Sequence, residues 1–332
     1  MQMRVLLTGG LGFIGHHTVE HLLENTDWDI VVIDALRHVG RSDRLADIEG
    51  YDPDRVTVAW HDLRAPLPIG IAGHVDYIIN MASDSHVDRS LKDPVPFVTN
   101  NVTLAMTMLE YAREVMPLKF IQVGTDEVFG PAPKGVMHDE EAPLRPSNPY
   151  SASKAAQEVL AQAWWRAYGV PVILTRTMNN FGERQDVEKY VPKVIEKVLT
   201  GETIEVHAAR GADGWQPGSR IWLHARNHAD ALLHILNTVE PKTYEEQDHP
   251  VWFNVAGDVE WDNLEIVRLV ERFTRRNARV EMVDFHTSRP GHDMRYALDG
   301  AKLAATGWKM PIASEESFGR TVRWYMDHTD WL

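Results

Sequence analysis

The first half of the chain alternates short, continuous apolar runs with longer segments whose apolar residues recur at helical spacing. Helical spacing predicts helices over residues 13–25, 94–116 and 149–168. The short apolar runs are typical of buried strands and lie at residues 4–8, 29–34, 55–60, 75–82, 119–123 and 170–176. Such strands, separated by helices, predict a parallel sheet covered on both faces.

After about residue 176 the alternation becomes irregular, and Trp, Pro and Gly become frequent, as in the run GADGWQPGSRIW. We therefore predict an α/β protein: a Rossmann-type doubly wound parallel sheet with a smaller mixed α/β substrate-binding domain. The first domain is expected to comprise residues 1–176 together with about 226–258, and the second residues 177–225 and 259–332. A cleft between them is the expected binding site.

Composition and charge narrow the function classes. Of the 332 residues, 44% are hydrophobic and 25% are charged, which is ordinary for a globular protein. The net charge of −14 argues against nucleic acid and against an anionic membrane surface as partners. The absence of cysteine excludes disulfides and thiolate metal sites, and the scattered histidines have no metal-ligand spacing, so we assign no metal.

No apolar run approaches the roughly 18 residues of a membrane span. The apolar run at the start of the sequence is too short for a signal peptide and continues directly into a motif. We therefore expect a cytoplasmic protein.

That motif, TGGLGFIG, follows the first predicted strand and opens the first predicted helix. Gly9 permits a tight turn, Gly12 lets a pyrophosphate approach the backbone, and Gly15 lets helix and strand pack closely. Phe13 and Ile14 begin the helix, whose free N–H groups and dipole favour phosphate. The motif predicts a dinucleotide site; the alternative is a tight structural turn.

Asp34 ends the second predicted strand, where a carboxylate can accept hydrogen bonds from both ribose hydroxyls and would repel a 2′-phosphate. This favours NAD over NADP, although Arg37 and Arg41 are near enough in sequence to reach a 2′-phosphate. Asp62 and Leu63, after the third strand, are candidates for the edge of the adenine site; the alternative is a solvated loop.

Tyr150 and Lys154 are four residues apart, so they share one face of their helix. A lysine ammonium and a positively charged nicotinamide ring would favour the phenolate, and Tyr150 could then accept a hydroxyl proton. Thr125, Asp126 and Glu127 follow a buried strand. Adjacent acids in an apolar setting repel each other, so a chemical role explains them better than a structural one; the alternative is a helix cap with a stray acid.

These motifs resemble the extended short-chain dehydrogenase/reductase family, and within it most closely the sugar-nucleotide 4,6-dehydratases that act on dTDP-glucose. The resemblance runs through TGGLGFIG, SHVDRS, TDEVFG, NPYSASK, NNFG and SRPGHDMRYALD, which together span nearly the whole chain. The Thr-Asp-Glu triplet is its most specific part, because the family's sugar epimerases generally lack the Asp-Glu pair.

The resemblance implies a division of labour. Tyr150 takes the proton from the hydroxyl on sugar carbon 4 while hydride passes to NAD, Glu127 takes the proton from carbon 5, and Asp126 protonates the leaving hydroxyl of carbon 6. Hydride then returns to carbon 6, giving a 4-keto-6-deoxy sugar. Thr125 is expected to bond the oxygen on carbon 4, and Lys154 to support Tyr150.

The resemblance also assigns a cofactor contact to Ala82 and a homodimer to helices 94–116 and 149–168. Around Arg220, which is expected to hold the diphosphate, Ile221, Arg226 and Asn227 replace the family's usual residues, so the base stays open between thymidine, uridine and another. The remaining candidates for the sugar nucleotide are Ser85, His86, Asn179, Asn180, Lys189, Asn254, Arg289 and His292. Two alternatives are a sugar-nucleotide 4-epimerase or decarboxylase, and a non-catalytic NAD-binding regulator.

Overall fold

The structure is a computed structural model that describes residues 2–37, 40–212, 214–288 and 292–332. Its strands are β1 Arg4–Thr8, β2 Asp29–Asp34, β3 Val56–Trp60, β4 Tyr77–Asn80, β5 Lys119–Thr125, β6 Val172–Thr177, β7 Asn179–Phe181, β8 Thr203–Gly211, β9 Gly214–Pro217, β10 Ser219–His224, β11 Val251–Val255, β12 Val259–Asp262, β13 Arg279–Asp284 and β14 Arg295–Tyr296. Its α-helices are α1 Phe13–Asn25, α2 Asp43–Ala46, α3 Val87–Lys92, α4 Pro94–Val115, α5 Pro149–Tyr168, α6 Tyr190–Thr200, α7 Ala225–Thr238, α8 Asn263–Thr274, α9 Phe285–Ser288, α10 Ala301–Ala305 and α11 Ser314–Asp327.

Seven parallel strands form the main sheet in the order β11-β6-β5-β4-β1-β2-β3. The order runs in opposite directions on the two sides of the β1–β4 pair, so a crevice opens beyond the carboxyl ends of these strands. The predicted doubly wound parallel sheet is confirmed.

Successive residues of the central strands pack on opposite faces of the sheet. Val5 and Leu7 belong to one buried cluster, and Leu6 between them belongs to another. Helices α1 and α7 pack together, as do α4 and α5. Because both faces are covered by helices, the central strands are mostly apolar, which produces the continuous runs seen in the sequence.

The rest of the chain forms two smaller sheets, ordered β12-β10-β14, with β7 also paired to β10, and β13-β8-β9. A third core cluster, built around Phe181, Trp222, Trp261 and Phe318, packs there. Tyr296, Leu303 and Trp308 pack instead in a cluster of the main sheet. The predicted division into two domains thus remains a proposal, with these three residues packing across it.

Local sequence signals account for the helix ends. Asn148 accepts a hydrogen bond from the backbone N–H of Ser151 and caps α5, which ends at Gly169 in the left-handed region.

The predicted strand 75–82 is shorter in the structure, where it spans Tyr77–Asn80, because Ala82 leaves the sheet beside the glycine motif. No helix within the described ranges has the length and apolarity needed to cross a lipid bilayer.

Candidate active site

One cleft of about 520 Å³ lies at the carboxyl ends of the main strands and extends between the main sheet and the smaller sheets. It brings together nearly all of the residues predicted from the sequence. Those that line it are Gly9, Gly12, Phe13, Ile14, Gly15, Asp34, Asp62, Leu63, Ala82, Ser85, His86, Thr125, Asp126, Glu127, Tyr150, Lys154, Asn179, Asn180, Lys189, Arg220 and His292.

The glycine loop, residues 9–15, forms one end of the cleft. Gly9 has a φ of +73°, which a side chain rarely adopts, and a Cβ on Gly15 would lie 2.1 Å from the carbonyl oxygen of Gly9. Gly12 precedes α1 and has no side chain, so the N–H groups at the start of the helix stay open to an anion. These residues fit the pyrophosphate of a dinucleotide.

Asp34 ends β2 at the rim of this site. Its Oδ2 accepts a hydrogen bond from the backbone N–H of Leu11, and its Oδ1 accepts one from that of Leu36. Arg37 donates to Asn100 and Arg41 to Asp43, so both guanidinium groups already hold partners within the protein. This arrangement suits ribose hydroxyls better than a 2′-phosphate.

Asp126 and Glu127 lie directly after β5, and Asp126 is 3% exposed. Thr125 Oγ1 lies 2.9 Å from Asp126 Oδ1. Burial, together with the neighbouring Glu127 carboxylate, raises the pKa of Asp126 from 3.8 to about 7. Burial also raises the pKa of Glu127, opposed by a hydrogen bond from Asn148 and by the charge of Arg220. A carboxyl with a pKa near 7 can be neutral at physiological pH and donate a proton.

Tyr150 and Lys154 share one face of α5, and both are buried. Burial and the charges of Glu127 and Asp126 raise the pKa of Tyr150, while a hydrogen bond with Thr125 lowers it. Lys154 Nζ donates to the carbonyl of Val123 and to Gln157 Oε1, each at 2.7 Å, and its burial lowers its pKa to about 8. The groups of the chain on their own therefore favour the neutral phenol, and the expected effect of Lys154 together with the nicotinamide ring stays a prediction.

Two cationic groups, Arg220 and Lys189, lie on the side of the cleft that faces the smaller sheets. Arg220 lies on β10 with its guanidinium carbon 5.4 Å from the ring centroid of Tyr296. Lys189 Nζ donates to the carbonyl of Ser85. Both charges lower the pKa of Glu127, so they lie within electrostatic reach of the acidic pair. These two cations are therefore suited to hold an anionic group in the cleft.

Two predicted residues do not enter this description. Asn254 lies on β11, is fully buried and does not line the cleft. Its Nδ2 donates a hydrogen bond to the carbonyl oxygen of His138. The structure therefore does not bring Asn254 together with the other candidates, and its contact with the nucleotide stays a prediction. Arg289 lies outside the described residues.

Other residues that shape the site were not singled out from the sequence. Asn148 Nδ2 donates to Glu127 Oε2 at 3.3 Å, which orients that carboxylate. Gln157 accepts from Lys154 one helical turn away. The i,i+3 spacing of Lys154 and Gln157 could have indicated the second contact, whereas the first depends on the meeting of β5 and α5. Among the residues that the structure describes, no group of three or more His, Cys, Asp or Glu could hold a metal ion.

A doubly wound sheet, a glycine loop at its switch point and a Tyr-x-x-x-Lys helix place the protein among the short-chain dehydrogenases/reductases. Residues 6–321 match the family described as GDP-mannose 4,6 dehydratase. The chain belongs to this family.

Named relatives resemble the chain over nearly its whole length. It is 34% identical to dTDP-glucose 4,6-dehydratase 1 of Escherichia coli strain K12, covering 99% of this chain and 94% of the relative. It is 36% identical to the low-salt glycan biosynthesis protein Agl12 of Haloferax volcanii, covering 98% and 99%.

Solved structures also resemble it. DesIV, a dTDP-glucose 4,6-dehydratase of Streptomyces venezuelae solved with NAD bound, matches with a TM-score of 0.87 at 31% identity, covering 99% of this chain and 98% of that one. The UDP-glucose 4-epimerase of Thermus thermophilus, solved with NAD, matches with a TM-score of 0.83 at 27% identity, covering 98% and 99%.

Proposed function

We propose that the protein is an NAD-dependent sugar-nucleotide 4,6-dehydratase that converts a nucleoside-diphosphate hexose, dTDP- or UDP-glucose, to the 4-keto-6-deoxy sugar nucleotide. The observation that carries this proposal is the pair of adjacent acids, the buried Asp126 and the partly buried Glu127, in the same cleft as Thr125, Tyr150 and the glycine loop. The full-length similarity to dTDP-glucose 4,6-dehydratases supports it.

The glycine loop, Asp34 and Ala82 hold the dinucleotide, with Asp62 and Leu63 at its adenine end. NAD, when bound, supplies the group that accepts hydride from sugar carbon 4 and returns it to carbon 6, and its positively charged ring favours the Tyr150 phenolate. Because the neighbouring carboxylates raise the pKa of Tyr150, this positive charge has to outweigh them.

Tyr150 removes the proton of the hydroxyl on carbon 4, and Thr125 bonds the same oxygen. The resulting ketone acidifies carbon 5, from which Glu127, held by Asn148, removes the proton. Asp126 protonates the hydroxyl that leaves carbon 6, and water departs. Glu127 returns its proton to carbon 5 in the last step. A raised pKa for Asp126 beside a basic Glu127 suits these opposite roles.

Arg220 and Lys189 bind the diphosphate, and Asn179, Asn180, Ser85, His86 and His292 line the remaining sugar-nucleotide site. We propose the same role for Arg289. A 4-epimerase would share the fold, Tyr150 and Lys154 but would have no use for two adjacent acids. Incubation with dTDP-glucose and UDP-glucose, followed by the absorbance of the 4-keto product in base, separates the two activities.

Two further assignments remain predictions: a cytoplasmic location and a homodimer formed through α4 and α5. Met106 of α4 and Val159 of α5 are exposed, at 41% and 55%, although the two helices pack against each other. Exposed apolar groups on paired helices favour association with a second copy.

A further inference from the structure

Arg44 is a fully buried cation outside the proposed catalytic set. It lies on α2, the short helix that follows β2, and its exposed fraction is 0%. A guanidinium is costly to bury unless it is hydrogen-bonded. Its partners therefore indicate what its burial achieves.

Arg44 binds two backbone carbonyls in different parts of the fold. Its Nη1 donates to the carbonyl oxygen of Leu11 at 3.0 Å, and its Nε donates to that of Arg184 at 3.2 Å. Leu11 lies within the glycine loop. Its carbonyl also accepts from the backbone N–H of Arg41 at 3.1 Å, and its own N–H donates to Asp34 at 2.9 Å. Both the carbonyl and the N–H of Leu11 are thus hydrogen-bonded within the protein, which fixes this part of the loop.

The second carbonyl belongs to the segment that follows β7. Arg184 has a φ of +61°, a backbone conformation that is unfavourable for a residue other than glycine. The contacts around it have to stabilise this conformation. Its guanidinium donates to the carbonyl of Asp47 at 2.7 Å, and the carbonyl of the next residue, Gln185, accepts from Tyr325 at 2.7 Å. Gln185 lines the cleft. Arg44 therefore connects the glycine loop to the segment after β7, which lines the opposite side of the cleft.

An aromatic ring from the third core cluster covers this connection. The Trp331 ring centroid lies 5.8 Å from the guanidinium carbon of Arg44 and 3.9 Å from that of Arg41. Trp331 packs with the core of the smaller sheets. The indole thus keeps water from the Arg44 hydrogen bonds and strengthens them.

We infer that Arg44 is a positioning residue for the dinucleotide: it fixes the Leu11 peptide so that the N–H groups at the start of α1 face the pyrophosphate. A loop with four glycines loses much conformational entropy when it is ordered. Hydrogen bonds that order the loop before binding lower that cost and raise affinity. This inference rests on the proposed binding of NAD.

The test compares Arg44→Met, Arg44→Lys and the control Arg41→Met by titration calorimetry with NAD and, separately, with dTDP or UDP. Methionine removes both hydrogen bonds, and we expect NAD affinity to fall about tenfold to a hundredfold. Lysine keeps the charge but has one ammonium for two carbonyls, so its loss should be smaller. Arg41→Met keeps the backbone bond to Leu11 and both Arg44 hydrogen bonds while it removes an exposed ion pair and the Arg41 contact with Trp331, so its NAD affinity should stay within about threefold of wild type.

The affinity for the nucleoside diphosphate should change little in all three variants, because its proposed site at Arg220 and Lys189 does not include the glycine loop. A selective loss of NAD affinity, partly restored by lysine, supports the inference. If Arg44→Met does not fold, the same selective loss in Arg44→Lys decides in its favour. Unchanged NAD affinity in a folded Arg44 variant, or equal losses for NAD and the nucleoside diphosphate, overturns it. Failure of the wild type to bind NAD would instead overturn the proposed function.

Discussion

Asp126→Asn should make the folded protein progressively more stable than the wild type as the pH rises. In the wild type, folding raises the pKa of Asp126 from 3.8 to about 7. The folded state therefore keeps its proton to higher pH than the unfolded state, and stability is lost as the pH rises through this window. Asparagine does not ionise, so the variant avoids that loss.

The magnitude follows from the displacement of the pKa. Each unit is worth about 1.4 kcal/mol, so the shift from 3.8 to about 7 corresponds to about 4 kcal/mol for this buried carboxyl. Of this, about 2–3 kcal/mol falls between about pH 5 and about pH 8. Any cost of burying the amide is independent of pH and cancels in the comparison.

The assay is urea unfolding of both proteins without added ligand at about pH 5 and about pH 8, with the difference in unfolding free energy taken at each pH. Asp62→Asn is the matched control. A hydrogen bond with Arg64 lowers the pKa of Asp62 to about 2, so this carboxyl is ionised in both states over the range. Its difference from wild type should stay constant.

The reasoning would be refuted if the difference in unfolding free energy between Asp126→Asn and wild type were the same at both pH values. It would also be refuted if the variant became less stable relative to wild type at the higher pH. Asp126 would then ionise in the folded protein as an ordinary carboxyl does. It would lack the proton that the leaving hydroxyl needs at neutral pH.

Three further predictions follow from the site. Glu127→Gln should lower dehydration about 10²–10⁴-fold while single-turnover formation of NADH absorbance survives; loss of that absorbance would place Glu127 in the first step instead. Tyr150→Phe should abolish the absorbance change, and its survival would exclude Tyr150 as the base for the carbon 4 hydroxyl. Light scattering at micromolar concentration should give the mass of a dimer, which Met106→Glu together with Val159→Glu should convert to that of a monomer; a monomeric wild type would reject the interface.

The sequence allowed the main sheet to be predicted almost strand by strand, because burial on both faces leaves an unbroken apolar run such as residues 30–33 of β2. It also brought out Asp126 and Glu127, because adjacent acids after a buried strand have no ordinary structural use. These are local signals, and they can be interpreted without knowing which segments meet.

Features that depend on distant segments were beyond this reasoning. Asn254 was a candidate for the sugar nucleotide, but its side chain is fully buried on β11, the edge strand of the main sheet. Arg44 looks like an ordinary surface residue of a charged stretch, yet folding brings Leu11 and Arg184 to its guanidinium. The position of the Lys154 ammonium likewise depends on the packing of α5 against β5, which brings the carbonyl oxygen of Val123 within hydrogen-bond distance of Nζ.

The central claim is that oxidation at carbon 4, loss of water and reduction at carbon 6 occur in one cycle within this cleft. The most direct measurement incubates the protein and NAD with dTDP-glucose and UDP-glucose carrying deuterium on carbon 4 and locates the label by mass spectrometry and NMR. The account predicts that one of them gives a product lighter by one water, with the deuterium now on carbon 6. A product of unchanged mass with the deuterium still on carbon 4 would contradict it and indicate an epimerase.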